Sequence, residues 1–377
     1  MKHDVIIIGA GSMGMAAGYF LSKQGKKVLL VDSFDPPHAN GSHHGETRII
    51  RYAYGEGEAY LPLALRAKAL WAELERESGR EIFLETGVLN VGNHESRFIK
   101  NVVSSSEKYS LPLEVMSSDE VNHKWPGLSL AEDLIGCFEP TSGVLKSEEC
   151  IVAYRELAGS AGATLQTNTK VHNITVENDG ETVIVKTDKG VFQSESLIVS
   201  AGAWSKDVLR MLDVDLPLQP VRKTFTWFDV DKELYKEGNF PAFSFETSFG
   251  MYYGFPSIDG AGLKVGRHDT GEEQSVEDPI VPFGEYPHDA GDVTHFVEQF
   301  MTCKHELRQG RTCMYTLTPD EDFIIDLHPK YKNIAIAAGF SGHGFKFSSV
   351  VGEILTELIT DGKTHLPISP FSIKRFT

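Results

Sequence analysis

Val5-Ile6-Ile7-Ile8-Gly9-Ala10-Gly11-Ser12-Met13-Gly14, with Asp32 at the end of the next apolar run, decides how this chain folds. Residues 5–8 are continuously apolar, the pattern of a parallel strand buried on both faces. Gly9, Gly11 and Gly14 follow at once in the spacing G-x-G-x-x-G. Met13, Ala17, Phe20 and Leu21 then fall on one face of a helix, and Gly25 stands where that helix should end. Val28–Val31 reads as a second strand closed by Asp32. Such glycines permit a tight turn and close approach of main chain to a pyrophosphate, while the helix start offers N–H groups and partial positive charge. An acid at the end of the second strand accepts hydrogen bonds from ribose hydroxyls. The unit predicts a dinucleotide site, with Ser12 and Met13 at the helix start, and does not separate FAD from a nicotinamide dinucleotide.

Beyond this unit, residues 33–58 are rich in Gly, Pro, His and Asn and include Arg48 and Arg51. They read as one long polar loop, and such loops are uncommon in compact proteins unless they work at a site. Leu63, Ala67, Leu70 and Leu74 mark an amphipathic helix. Residues 81–145 have no clear βαβ rhythm. Residues 150–161 read as a helix, and Thr164–Gln166, residues 183–187 and residues 197–200 as strands, the last running into Ala201-Gly202-Ala203-Trp204. Residues 217–315 alternate apolar and polar positions and carry many aromatics, which predicts antiparallel sheet. Ile334–Ala338 is again a strand, followed by a turn at 339–344 and a helix over 345–360. Strands of the nucleotide-binding kind thus stand at the start, middle and end. The simplest arrangement is α/β with two discontinuous domains: 1–80, 146–216 and 316–377 for the nucleotide, 81–145 and 217–315 for the substrate.

The 377 residues are 41% hydrophobic and 24% charged, enough for a sizeable core. A formal net charge of −17 argues against nucleic acid and against an anionic membrane surface, though a local cationic cluster can still take a small anion. Cys137, Cys150, Cys303 and Cys313 form no CxxC pair, so zinc spacing is missing and a reducing cytoplasm is expected. His43-His44 and His343 are not in ligand spacing, and no metal is expected. No apolar run approaches the roughly 18 residues of a membrane-spanning helix.

Five further stretches carry a family resemblance. They are Gly41-Ser42-His43-His44-Gly45-Glu46-Thr47-Arg48-Ile49-Ile50-Arg51, Tyr252-Tyr253-Gly254-Phe255-Pro256, Cys313-Met314-Tyr315, Pro319-Asp320-Glu321-Asp322-Phe323 and Gly339-Phe340-Ser341-Gly342-His343-Gly344-Phe345-Lys346-Phe347. In these the chain resembles the monomeric sarcosine oxidase and N-methyltryptophan oxidase family, from residue 4 to the C-terminus. The resemblance implies a two-domain FAD-dependent oxidoreductase, with a Rossmann-like FAD domain and an antiparallel-sheet substrate domain. It implies FAD joined through a thioether at Cys313, a residue that alone would read as a small buried hydrophobe. It also implies oxidation of a secondary amino acid at the C–H beside nitrogen, with oxygen taking the electrons to give hydrogen peroxide.

The resemblance assigns roles to single residues. Arg51 and Lys346 would take the substrate carboxylate, where a planar guanidinium suits the two oxygens. Taken alone they would read as a surface charge and a solvent-facing residue at a helix start. Tyr253, Tyr315, Ser244 and Gly342 would wall the substrate pocket, and His268 would hydrogen-bond the carboxylate or influence the amine's protonation. Lys264 would be the cation that promotes the reaction with oxygen, and Arg48 and His44 would lie on the other flavin face. Ser42, Thr47, Ala201, Gly202, Trp204, Phe340, Gly344 and Phe345 would contact the cofactor.

Ser244 departs from the Met of sarcosine oxidases toward the small hydroxyl residue of N-methyltryptophan oxidases, as does Gln219-Pro220-Val221-Arg222-Lys223. His38-Ala39-Asn40-Gly41 and Cys313-Met314-Tyr315-Thr316 lean the other way. The resemblance thus implies sarcosine as the preferred substrate, with N-methyl-L-tryptophan the alternative. A nicotinamide-dependent dehydrogenase explains only the first 32 residues, and a non-catalytic flavin-binding protein is the third reading. The family name implies a monomer.

Overall fold

The computed structural model describes residues 2–54, 57–177, 180–302 and 304–376. Cys303 and residues 55 and 56 of the polar segment lie outside them.

The opening βαβ unit forms as its sequence predicts. Lys2–Ile8 pairs in parallel with Val28–Val31 on one side and with Gly190–Val199 on the other. Thr164–Gln166 extends the sheet beyond Val28–Val31, and Ile334–Ala338 pairs with the end of Gly190–Val199, both in parallel. Ile324–Leu327 adds an antiparallel edge, and the antiparallel strands Val171–Glu177 and Thr182–Thr187 continue from the first half of Gly190–Val199. The apolar runs are continuous because both faces are covered. Val5, Ile7, Val28 and Leu30 enter one core, while Ile6, Ile8, Leu29 and Val31 enter another.

Helices Ser12–Lys23, Leu61–Ser78, Ser147–Ser160 and Ser348–Asp361 pack on the first of these faces. Leu63, Ala67, Leu70 and Leu74 are all buried there. The first and last helices touch so closely that a Cβ at Gly352 would come within 2.5 Å of the Ala16 Cβ. The helix foreseen from residue 345 begins as a 3-10 turn, Phe345–Phe347, and becomes α-helical at Ser348.

A second, nine-stranded sheet is antiparallel except where Ala242–Thr247 runs parallel to Val88–Asn93. It draws on Val88–Asn93, Glu114–Ser117 and Leu134–Glu139 as well as on strands between residues 219 and 317. Aromatics fill the space between this sheet and helix His288–Phe300, with Tyr252 and Phe296 stacked at 4.5 Å.

The segment 33–58 is not all loop. Thr47–Ile50 is a short strand that pairs antiparallel with Gly143–Lys146, and Phe83–Leu84 joins on the other side. The apolar pair Ile49-Ile50 supplies the strand character, and four residues are too few for periodicity to reveal it. Arg48 therefore sits within a small sheet, and Arg51 directly after it. Among the described residues no helix is long and apolar enough to cross a membrane.

Candidate active site

The three glycines of the first turn have separate tasks. Gly9 has φ +92°, and a Cβ there would lie 2.4 Å from the Ser200 carbonyl oxygen. A Cβ at Gly14 would lie 1.9 Å from the Gly9 oxygen, so this glycine lets helix and strand approach. At Gly11 a Cβ would meet only the His43 Nδ1, at 3.7 Å. That position is open, next to a helix start that no side chain caps, so the first-turn N–H groups have no partner within the helix. Asp32 is buried and braces the turn. Its Oδ2 accepts from the Ala10 N–H at 2.7 Å and its Oδ1 from the Phe34 N–H at 2.9 Å.

A cavity of about 540 Å³ begins at this turn, lined by Gly9, Gly11, Ser12, Met13 and Asp32. It continues past Ala201, Gly202 and Trp204 to Ser42, Arg48, Phe340, Gly342, Gly344 and Phe345. The buried Thr316 hydroxyl on its wall has no hydrogen-bond partner among the described residues. A second cavity of about 90 Å³ shares Arg48, Tyr315, Gly342 and Phe345 with the first. Arg51, Ser244, Tyr253, His268, Cys313 and Lys346 also line it. A cavity of about 540 Å³ thus abuts a small one with cationic groups on its wall.

The sequence profile of the family described as FAD dependent oxidoreductase matches residues 4–358. The chain belongs to that family. It is 52% identical over 375 residues to monomeric sarcosine oxidase of Bacillus sp. (strain NS-129), covering 99% of this chain and 96% of that protein. It is 43% identical over 378 residues to N-methyl-L-tryptophan oxidase of Escherichia coli O81 (strain ED1a), covering all of both. The solved structure of L-proline dehydrogenase from P. horikoshii has the same fold, with a TM-score of 0.85 at 24% identity, over 100% of this chain and 98% of that one.

In this FAD-dependent oxidoreductase the residues present fit the cofactor. The open Gly11 and the uncapped helix start suit a pyrophosphate, and Asp32 suits a ribose. The orphan Thr316 hydroxyl and Gly339, Phe340, Gly342 and Gly344 of the second turn line the same cavity.

Arg51 and Lys346 are not surface charges. They are 5% and 7% exposed, brought together from segments nearly 300 residues apart. Arg51 donates to Asn90 Oδ1 at 3.3 Å and lies over the Tyr54 and Phe98 rings. Lys346 Nζ donates to the His343 carbonyl at 2.9 Å and to the Tyr54 hydroxyl at 3.2 Å. Arg48 binds the carbonyls of Ser42, His44 and Thr47, each at 2.7 Å, and so fixes the loop around itself. His268 is held through its carbonyl by the buried Lys223 ammonium at 2.7 Å.

Lys264, His44, Thr47 and Gly14 line neither cavity. Lys264 is buried among the rings of Phe225, Trp227 and Phe255, with Nζ donating to the Gly45 carbonyl and to Thr47 Oγ1 at 3.1 Å. Burial, reinforced by the Arg48 charge, pulls its pKa well below the usual lysine value of 10.5. Burial and Arg48 likewise bring His44 down to about 4, so the imidazole is neutral at pH 7. Neither of its ring nitrogens has a hydrogen-bond partner among the described residues. His44 and Lys264 both lie against the Phe225 ring, which itself lines the smaller cavity. Burial pushes Tyr253 up to about 12, so it stays protonated and brings no negative charge to the site.

Sequence reasoning missed His43, which lines the large cavity and accepts from the His38 N–H at 3.1 Å, and Thr169 on the same wall. The proximity of His43 to the recognised loop was the available signal; Thr169 offered none. It also missed the buried pair Asn90 and Glu139, which stand behind Arg51.

Proposed function

We propose that this protein oxidises small secondary N-methyl amino acids, sarcosine first: sarcosine, oxygen and water give glycine, formaldehyde and hydrogen peroxide. What supports the reading most is the cavity of about 90 Å³ that shares a wall with the cofactor cavity and holds Arg51 and Lys346. FAD, when bound, supplies the acceptor for two electrons. Arg51 and Lys346 bind the carboxylate, and Tyr253, Tyr315 and Ser244 wall the methyl and amine end. His268 sets the environment in which the amine loses its proton, which must precede oxidation. The aromatic walls keep bulk water away. Lys264 supplies positive charge for the reaction with oxygen.

The reading extends to the protein as a whole: a cytoplasmic monomer acting on small molecules, with the FAD domain at 1–80, 146–216 and 316–377. Gly14 and Thr47 act there by shaping the cofactor turns.

N-methyl-L-tryptophan is the second reading, favoured by Ser244, which lines the cavity directly opposite Tyr253 in the antiparallel pair. The small volume favours sarcosine. Peroxide release measured with both substrates decides between them. The kcat/KM for sarcosine should exceed that for the bulkier substrate, and Ser244→Met should widen the gap by at least about tenfold, the scale of one or two wall contacts. A preference for the bulky substrate would overturn the choice.

Cys313 is the proposed attachment point for FAD. It lines the smaller cavity and is 2% exposed. Burial pushes its thiol pKa up, against the pull of Arg48, Lys223 and Lys264. Acid precipitation of the flavin-loaded protein should leave a yellow pellet and a colourless supernatant, and Cys313→Ala should move the colour to the supernatant. Yellow only in the wild-type supernatant would reject the thioether.

A further inference from the structure

We infer that Glu139 is a positioning residue for substrate recognition, aiming Arg51 at the substrate carboxylate through Asn90 and through the main chain of Tyr52 and Ala53. The inference rests on the amino acid oxidase reading above. Glu139 ends strand Leu134–Glu139 and is 2% exposed. Its Oε2 accepts from the Tyr52 N–H at 2.9 Å, the Ala53 N–H at 2.9 Å and the Ser142 hydroxyl at 2.8 Å. Those two amides belong to the residues directly after Arg51, so the carboxyl group pins the backbone that carries the guanidinium.

The other oxygen reaches the guanidinium itself. Oε1 accepts from Asn90 Nδ2 at 3.2 Å, and Asn90 Oδ1 accepts from Arg51 Nη1 at 3.3 Å. Asn90 is wholly buried, and its neighbour across the parallel strand pair is Ser244, on the wall of the smaller cavity. The amide has one orientation here. Nδ2 must face the carboxyl oxygen for Oδ1 to face Arg51. Glu139 Oε1 holds that orientation together with the Cys137 carbonyl, which accepts from the same Nδ2 at 3.4 Å. A buried carboxyl group is costly to desolvate and is retained only when its lone pairs are met. Four donors meet these.

Glu139→Gln tests the relay with little change in shape. An amide has one acceptor and one donor. With its carbonyl kept on the Tyr52 and Ala53 amides, its NH₂ faces that of Asn90, donor against donor. This favours turning Asn90 over, against the remaining hold of the Cys137 carbonyl. Once turned, Asn90 presents NH₂ to Arg51, again donor against donor. Asn90→Leu removes the relay and leaves the turn bonds of Glu139 in place.

The measurement compares kcat/KM for sarcosine and for its neutral amide, N-methylglycinamide, in the flavin-loaded wild type and both variants. Acetate binding, read from the absorbance of the bound flavin, and the melting temperature are followed in parallel. The wild type should prefer the carboxylate. Both variants should lose at least about tenfold of that preference, mostly through KM, with weaker acetate binding and little change toward the amide. An unchanged preference, or equal losses on both substrates, would make Glu139 a turn brace only and overturn the inference. If Glu139→Gln does not fold, Asn90→Leu alone decides. A wild type that turns over sarcosine and its amide alike would instead sink the functional reading, and the inference with it.

Discussion

Arg51→Met should lower kcat/KM for an N-methyl amino acid by about 10²–10⁴-fold. Arg51 is buried on the wall of the smaller cavity, where a substrate carboxylate would meet its planar fork. Charge-assisted hydrogen bonds contribute about 1.5–3 kcal/mol each, and two are lost together. Each 1.36 kcal/mol is tenfold in rate, which gives the stated range. Methionine fills similar space beside Tyr54 and Phe98, so a cavity should not confuse the result. Lys346 remains as the second cation, so binding weakens without vanishing. Arg51→Lys should rescue only part, because an ammonium cannot make the paired contact. Steady-state peroxide release checks this; a loss below about threefold would remove Arg51 from substrate binding.

Lys264→Met should slow the reaction of the reduced enzyme with oxygen by about 10²–10³-fold, the scale of one preorganised electrostatic contact. Anaerobic substrate oxidation should change far less. Stopped-flow mixing with oxygen separates the two halves. The pH dependence carries a sign. Burial depresses the Lys264 pKa, so the cation is present at low pH and is lost as pH rises through that depressed value, well below 10.5. The oxygen reaction of the wild type should therefore slow as pH rises, whereas substrate oxidation should quicken as the amine deprotonates. The methionine variant should show no such slowing. A rate that is independent of pH in the wild type, or unaltered in the variant, would deny Lys264 this role.

The sequence disclosed those parts of the fold whose signal is local. Residues 5–8 and Val28–Val31 are uniformly apolar because each strand feeds two cores, and Gly9 and Gly14 stand where a Cβ would clash with backbone. The helix through Leu63 and Leu74 and the strand Ile334–Ala338 were legible for the same reason. Residues 81–145 were not, because their strands pair across long separations. Val88–Asn93 takes Ala242–Thr247 on one side and Leu134–Glu139 on the other. Thr47–Ile50 hid inside a polar segment for want of length.

For the candidate site, the glycine spacing and the family motifs named residues that line two adjoining cavities, with Lys264, His44, Thr47 and Gly14 outside both linings. They did not name Glu139, whose amide partners at Tyr52 and Ala53 lie 87 and 86 positions away. A buried polar relay leaves no period in a sequence. Its members become recognisable only when their hydrogen bonds are traced.

The larger cavity is lined by Gly9, Gly11, Ser12 and Met13 from the first turn and by Gly339, Phe340, Gly342, Gly344 and Phe345 from the turn near residue 340. Chains leave the ribosome N-terminus first, at about 5–20 residues per second. The first turn therefore exists for tens of seconds before its partner is made. On the proposed function, FAD would be held from both segments only once residue 345 has been made, and products that stop before it should hold flavin poorly. FAD bound in that cavity would tie the first segment to the last. Its binding free energy then adds to the stability of the whole flavin-binding half, and a shortage of flavin during growth would lower the amount of protein as well as its activity.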